Sequence, residues 1–129
     1  FPIDDRRGIP KMIFKGTLEH FSEDTLARFR RRMCGSSGQT EEFLSRTPTR
    51  TAEELREELA ALAQGITAYG SSSFIWDRAI IGNRDKIFPP RNQHEAWQGT
   101  EIMETEAEHY ETSLFSRLLE GKGEEWTRH

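Results

Sequence analysis

The chain has 129 residues, 34% of them hydrophobic and 31% charged, with a formal net charge of −4, a size and balance that fit one ordinary domain. A mean hydropathy of −0.78, with eight Phe, three Trp and two Tyr, supplies a core and leaves a strongly polar surface. No apolar run nears the roughly 20 residues of a membrane helix, the first residues lack a basic-then-apolar leader pattern, and the single cysteine, Cys34, excludes an intramolecular disulfide and a Cys-built zinc site.

Charge is uneven along the chain. Residues 1–50 carry ten Lys/Arg against seven Asp/Glu and residues 51–129 eight against fifteen, so the halves stand at +3 and −7. The basic excess includes Arg28, Arg30, Arg31 and Arg32, and the acidic excess lies in two later segments of helical spacing. Sparse cysteine fits a reducing, cytoplasmic compartment. Numbering from Phe1 rather than Met reads as a processed protein or a piece of a longer one.

Residues 1–20 read as an extended N-terminal arm punctuated by Pro2, Gly8 and Pro10, with Met12-Ile13-Phe14 as a short edge strand closed by Gly16. Residues 21–120 read as a single helical domain and 121–129 as a C-terminal tail. Ser22 caps a first helix with Glu23 and Asp24 in its opening turn; Leu26, Phe29 and Met33 share a face, and Gly35 stops it. Thr40 caps a short helix through Glu41, Glu42, Phe43 and Leu44, ended near Thr47 by Pro48. Thr51 and Glu54 then form a capping box. Leu55, Leu59, Leu62, Ile66 and Tyr69 follow at four-three-four-three spacing, a seam suited to packing on another helix.

Residues 74–88 admit two readings. Ser73 and Gly82-Asn83 bound a short buried helix, or Gly82-Asn83 turns a hairpin that returns through Lys86-Ile87-Phe88. Pro89-Pro90 breaks the chain, and Arg91 to Gly99 is a polar loop holding His94 and Trp97. Thr100 caps a last helix with Met103, Ala107, Tyr110, Leu114 and Leu118 on one face, closed by Gly121. The fold class is mainly α, a compact bundle of four or five short helices in which 51–69 packs on 101–119; a small β-hairpin at 74–88 gives the α+β alternative.

No complete catalytic constellation stands out. Glu106-Ala107-Glu108-His109 has Glu-x-x-His spacing, but one copy does not make a di-iron site, and it reads as a solvated acidic helix flank. His20, His94 and His129 have no ligand-like spacing. Ser71, Ser72 and Ser73 follow Gly70 without a nucleophile elbow, and Gly35-Ser36-Ser37-Gly38 lacks the lysine of a phosphate loop. Cys34, at a helix end, reads as a small buried apolar residue.

The arginine cluster ahead of a short helix and a capped longer one also fits a helix-turn-helix touching phosphates, although the many glutamates that follow repel nucleic acid. Phe14-Lys15-Gly16-Thr17, Tyr69-Gly70-Ser71-Ser72-Ser73 and Glu104-Thr105-Glu106 together are similar in order to the Arg, Ser-Thr-Ser and Glu-x-Glu motifs of ADP-ribosyltransferase toxins. Lys15 departs from that family's Arg, and the middle motif lacks its Thr. The resemblance implies an NAD-using transferase dependent on Glu106.

The sequence reading is therefore a protein–protein interaction module (adaptor, regulator, inhibitor or assembly component) without a catalytic, cofactor or metal site. Its partner is another protein or a second copy, with no membrane. Trp76, Trp97 and Trp126 with Arg30, Arg31 and Arg32 are the expected partner-binding residues. The alternatives are a nucleic-acid-binding regulator using Arg28 to Arg32 and the ADP-ribosyltransferase-like enzyme.

Overall fold

A computed structural model describes residues 2–46, 49–69 and 74–121. In chain order these form α1 (Lys11–Glu19), α2 (Glu23–Cys34), α3 (Ser37–Ser45), α4 (Ala52–Tyr69), β1 (Arg78–Gly82), α5 (Pro90–Ala96), β2 (Glu101–Thr105) and α6 (Thr112–Leu119). The described chain is mainly α with some β: helices gather in the first half, and a β1-α5-β2 unit with α6 makes the second.

Local signals place the first half. The Ser22 side chain accepts from the Thr25 backbone N–H at 3.2 Å while Thr25 Oγ1 accepts from the Ser22 N–H at 2.8 Å, a reciprocal cap. Gly35 ends α2 in the left-handed region at φ 76°, where a side chain is disfavoured. The Thr51–Glu54 capping box forms as the sequence predicts, with Thr51 N–H donating to Glu54 Oε2 at 2.8 Å. Other starts shift. Ser36, not Thr40, caps α3, and Met12-Ile13-Phe14 belong to helix α1 rather than to an edge strand, the Pro10 carbonyl at the N-cap accepting the first helical bond from Phe14 N–H at 3.0 Å. Residues 2–9 close on themselves: Asp4 Oδ1 accepts from the Arg6 and Arg7 N–H groups, and buried Asn92 donates from Nδ2 to the Asp5 and Gly8 carbonyls.

The second half departs from the predicted bundle. Neither reading of 74–88 holds: Arg78–Gly82 is a strand, and its partner is a parallel strand across α5 rather than a hairpin return. The predicted last helix divides into β2, a loop and α6. Glu101–Thr105 satisfies a helical face as readily as a strand face, and pairing from Arg78↔Glu101 to Gly82↔Thr105 decides in favour of the strand. The expected loop at 91–99 begins instead as α5, with Pro90 inside its first turn.

No 101–119 helix exists for the α4 seam to meet. Leu55 and Leu59 instead line an apolar groove of about 230 Å³ with Phe21, Leu26 and Phe29 of the α1–α2 region, and Leu62 at its edge is 56% exposed. Ala79 and Ile81 of β1 are buried with Ile87, Ala107 and Leu114, so the core of the second half lies against one face of the strand pair. Among the described residues no helix is long and apolar enough to cross a membrane. Trp126, His129, Ser71, Ser72, Ser73, Thr47 and Pro48 lie outside the described residues.

Candidate active site

Parallel strands joined by a helix place both of their carboxyl ends on the same edge, where open α/β sheets hold their chemistry. Here the ladder continues past the strands. Asn83 N–H donates to the Thr105 carbonyl at 2.9 Å and Arg84 N–H to the Ala107 carbonyl at 3.1 Å, so the two following loops run side by side. Gly82 permits this approach: a Cβ there would lie 2.6 Å from the Ala107 carbonyl oxygen. The first loop delivers Asp85 and the second His109.

Their side chains meet, with His109 Nδ1 3.0 Å from Asp85 Oδ2. The other carboxylate oxygen, Oδ1, accepts from the Ile87 and Phe88 N–H groups at 2.8 and 2.9 Å, and Gln93 Nε2, 3.3 Å from Oδ2, also donates to the Phe88 carbonyl at 2.8 Å. Asp85 is thus held rigidly at 9% side-chain exposure, while His109 keeps 32%. Phe88 stacks on the imidazole with centroids 5.7 Å apart and planes 13° from parallel. Burial pushes the Asp85 carboxyl up, but the hydrogen bonds from His109, Phe88 and Ile87 outweigh it and hold the group below the usual carboxylate value. An ionised carboxylate on Nδ1 fixes the proton there and leaves Nε2 with the lone pair that can act as a base, on a ring that stays partly exposed.

His109 was present in the sequence reading only as the end of a solvated Glu-x-x-His flank, and Asp85 was not singled out. The loop overturns that assignment. Glu106 turns away to Arg84 at 3.0 Å, and among the described residues no group of His, Cys, Asp and Glu is arranged to hold a metal. His94 pairs separately with Glu104. A usable sequence signal was the apolar Ala79-Ile80-Ile81 run breaking into Gly82-Asn83-Arg84-Asp85, the mark of a strand ending in a loop.

The expected partner-binding residues are scattered. Trp76 is 54% exposed beside Phe74 and Ile75, with its ring 6.3 Å from that of Trp97 in an edge contact. Arg30 lies over the Phe43 ring at 6.0 Å, and Arg32 Nη2 donates to the Lys86 carbonyl at 3.0 Å, so each of these two arginines also touches its own molecule. Arg31 is exposed. Cys34 is fully buried, as the sequence suggests, and burial raises its thiol pKa.

A carboxylate-held imidazole at the carboxyl ends of adjacent parallel strands is the acid–base arrangement of hydrolases that activate a hydroxyl. The chain belongs to the BioG family, whose family model, described as pimeloyl-ACP methyl esterase BioG, matches residues 1–120. It is similar to a malonyl-[acyl-carrier protein] O-methyltransferase of Bacteroides fragilis, 48% identical over 121 residues that cover 92% of this chain and 25% of that protein. An uncharacterised protein of Haemophilus influenzae is 42% identical over 117 residues, covering 89% of this chain and 54% of the other. The crystal structure of selenomethionine BioG from Haemophilus influenzae superposes with a TM-score of 0.79 at 41% identity, over 88% of this chain and 53% of that one. The chain thus spans about half the length of the Haemophilus proteins and a quarter of the Bacteroides one. Membership in this family overturns the reading as a non-catalytic adaptor or regulator, and with it the helix-turn-helix and ADP-ribosyltransferase alternatives.

Proposed function

We propose that this chain carries the general-base histidine, and the carboxylate that orients it, for hydrolysis of a methyl ester on an acyl group borne by acyl-carrier protein. The observation that carries the reading is the 3.0 Å contact of His109 Nδ1 with a buried Asp85 whose other oxygen accepts from two backbone N–H groups. His109 Nε2 removes the proton from a hydroxyl nucleophile supplied from outside the described residues, the nucleophile adds to the ester carbonyl, and Nε2 returns the proton to the departing methoxide as methanol. Water then releases the acyl group as a free carboxylate by the same proton path. Asp85 stays ionised throughout and stabilises the imidazolium. The esterase description of the family supports this choice.

The methyltransferase name belongs to a relative of which this chain matches a quarter, and it sets the experiment. The protein at full length, given a carrier-bound methyl ester and no methyl donor, is expected to release methanol and free carboxylate in equal amounts. Ester formation that requires a methyl donor, with no methanol release, would overturn the reading.

The carrier protein gives the basic and aromatic surfaces a use. Arg28 and Arg31 on α2 are exposed and have no ion pair among the described residues, which suits an acidic docking face. Arg30, Trp76 and Trp97 remain proposed contacts of the same partner, as do Trp126 and the exposed part of Arg32.

A further inference from the structure

The end of α2 touches both loops of the Asp85–His109 pair, each time at a neighbouring residue. Arg32 Nη2 donates to the carbonyl of Lys86, the residue after Asp85, at 3.0 Å. The carbonyl of Met33 accepts from the N–H of Tyr110, the residue after His109, at 3.0 Å. Gly35 closes the helix at φ 76° over the side chain of Glu108, the residue before His109; a Cβ at position 35 would fall 2.4 Å from Glu108 Cδ. Glu108 Oε2 is buried there without a hydrogen-bond partner among the described residues, so packing under the α2 turn rather than polar bonding seats this side chain.

We propose that the C-terminal turn of α2 is a clasp that sets the spacing between Asp85 and His109, with Arg32 and Gly35 as positioning residues. The inference rests on the reading of this pair as the acid–base centre. Its physical basis is that the direct backbone bonds between the loops end at Arg84 N–H and the Ala107 carbonyl, one or two residues short of the pair, and a change of about 1 Å in the geometry of reacting groups costs on the order of 10²-fold in rate. α2 precedes both strands in the chain and bonds to the backbone of each loop, so it fixes their separation as neither loop can alone. Arg32 does so from an exposed position, which makes its removal tolerable to the fold.

Two readouts test the clasp. Both are made on the protein at full length: proton NMR observes the low-field resonance of the His109 Nδ1–H···Asp85 bond, and kcat and KM are measured on the carrier-bound methyl ester. Arg32→Ala is expected to broaden or remove the resonance and lower kcat about 10-fold with little change in KM. Arg32→Lys, whose ammonium also donates to a carbonyl, is expected to recover part of both. Gly35→Ala is expected to act in the same direction and more strongly, because the left-handed turn and the seat of Glu108 are both lost. A resonance that vanishes in Asp85→Asn but persists unchanged in folded Arg32→Ala and Gly35→Ala, with kcat unaltered, overturns the clasp alone. A wild-type imidazole signal indifferent to Asp85→Asn overturns the site on which it rests.

Discussion

Asp85 concentrates the energetics of the site in one side chain. Its folded pKa lies below its unfolded value through hydrogen bonds that outweigh burial, so the stability it contributes is present above the unfolded carboxylate value of roughly 3.9 and is lost as pH falls through the folded value. Urea unfolding of the wild type is expected to weaken more steeply on acidification from pH 5 than that of Asp85→Asn, whose side chain does not titrate. Gly82→Ala is expected to cost about 1–3 kcal/mol by equilibrium unfolding, since its methyl group meets the Ala107 carbonyl and the loops must part. Neither role was legible from residue type. Asp85 and His109 stand 24 positions apart and meet through a backbone ladder that no local pattern encodes, and His109 sits among glutamates that resemble a solvated helix flank.

At the scale of elements, some signals contained within four or five residues read correctly, while others shift, as where Ser36 rather than Thr40 caps α3 and 12–14 fall in α1. Ser22 and Gly35 bound α2, and Thr51 with Glu54 opens α4, because caps answer to the orphan N–H and carbonyl groups of their own helix. Thr51→Ala is expected to lower unfolding free energy by about 1 kcal/mol while leaving the proposed ester hydrolysis unchanged, as the cap bonds within the start of its own helix and not to the loops of Asp85 and His109. Elements fixed by distant partners did not read. The apolar run at 79–81 fits a helix or a hairpin until a parallel strand 23 residues on is placed beside it, and Met103, Ala107 and Tyr110 match a helical face although a strand, a loop and the residue after His109 hold them. The α4 seam was sound as an apolar stripe, yet its partner is the α1–α2 region.

For the whole molecule, the proposed chemistry lies in the β-α-β second half, the proposed basic docking residues lie on α2 of the helical first half, and the end of α2 joins the two. Charge reversal at Arg28 and Arg31 is expected to raise KM for a carrier-bound ester several-fold, with an effect that shrinks as salt rises, and to leave hydrolysis of a small soluble ester unchanged. Equal loss on both substrates would remove these arginines from docking. The uneven charge of the two halves was legible in the sequence; the chemistry was not, because the pair exists only after the second half has folded. The most direct measurement is methanol release from a carrier-bound methyl ester by the protein at full length, compared with its His109→Ala and Asp85→Asn variants at matched folding by circular dichroism. Losses on the order of 10³-fold or more in kcat are expected for each; variants that keep activity within a few-fold of wild type would contradict the proposed role of the pair.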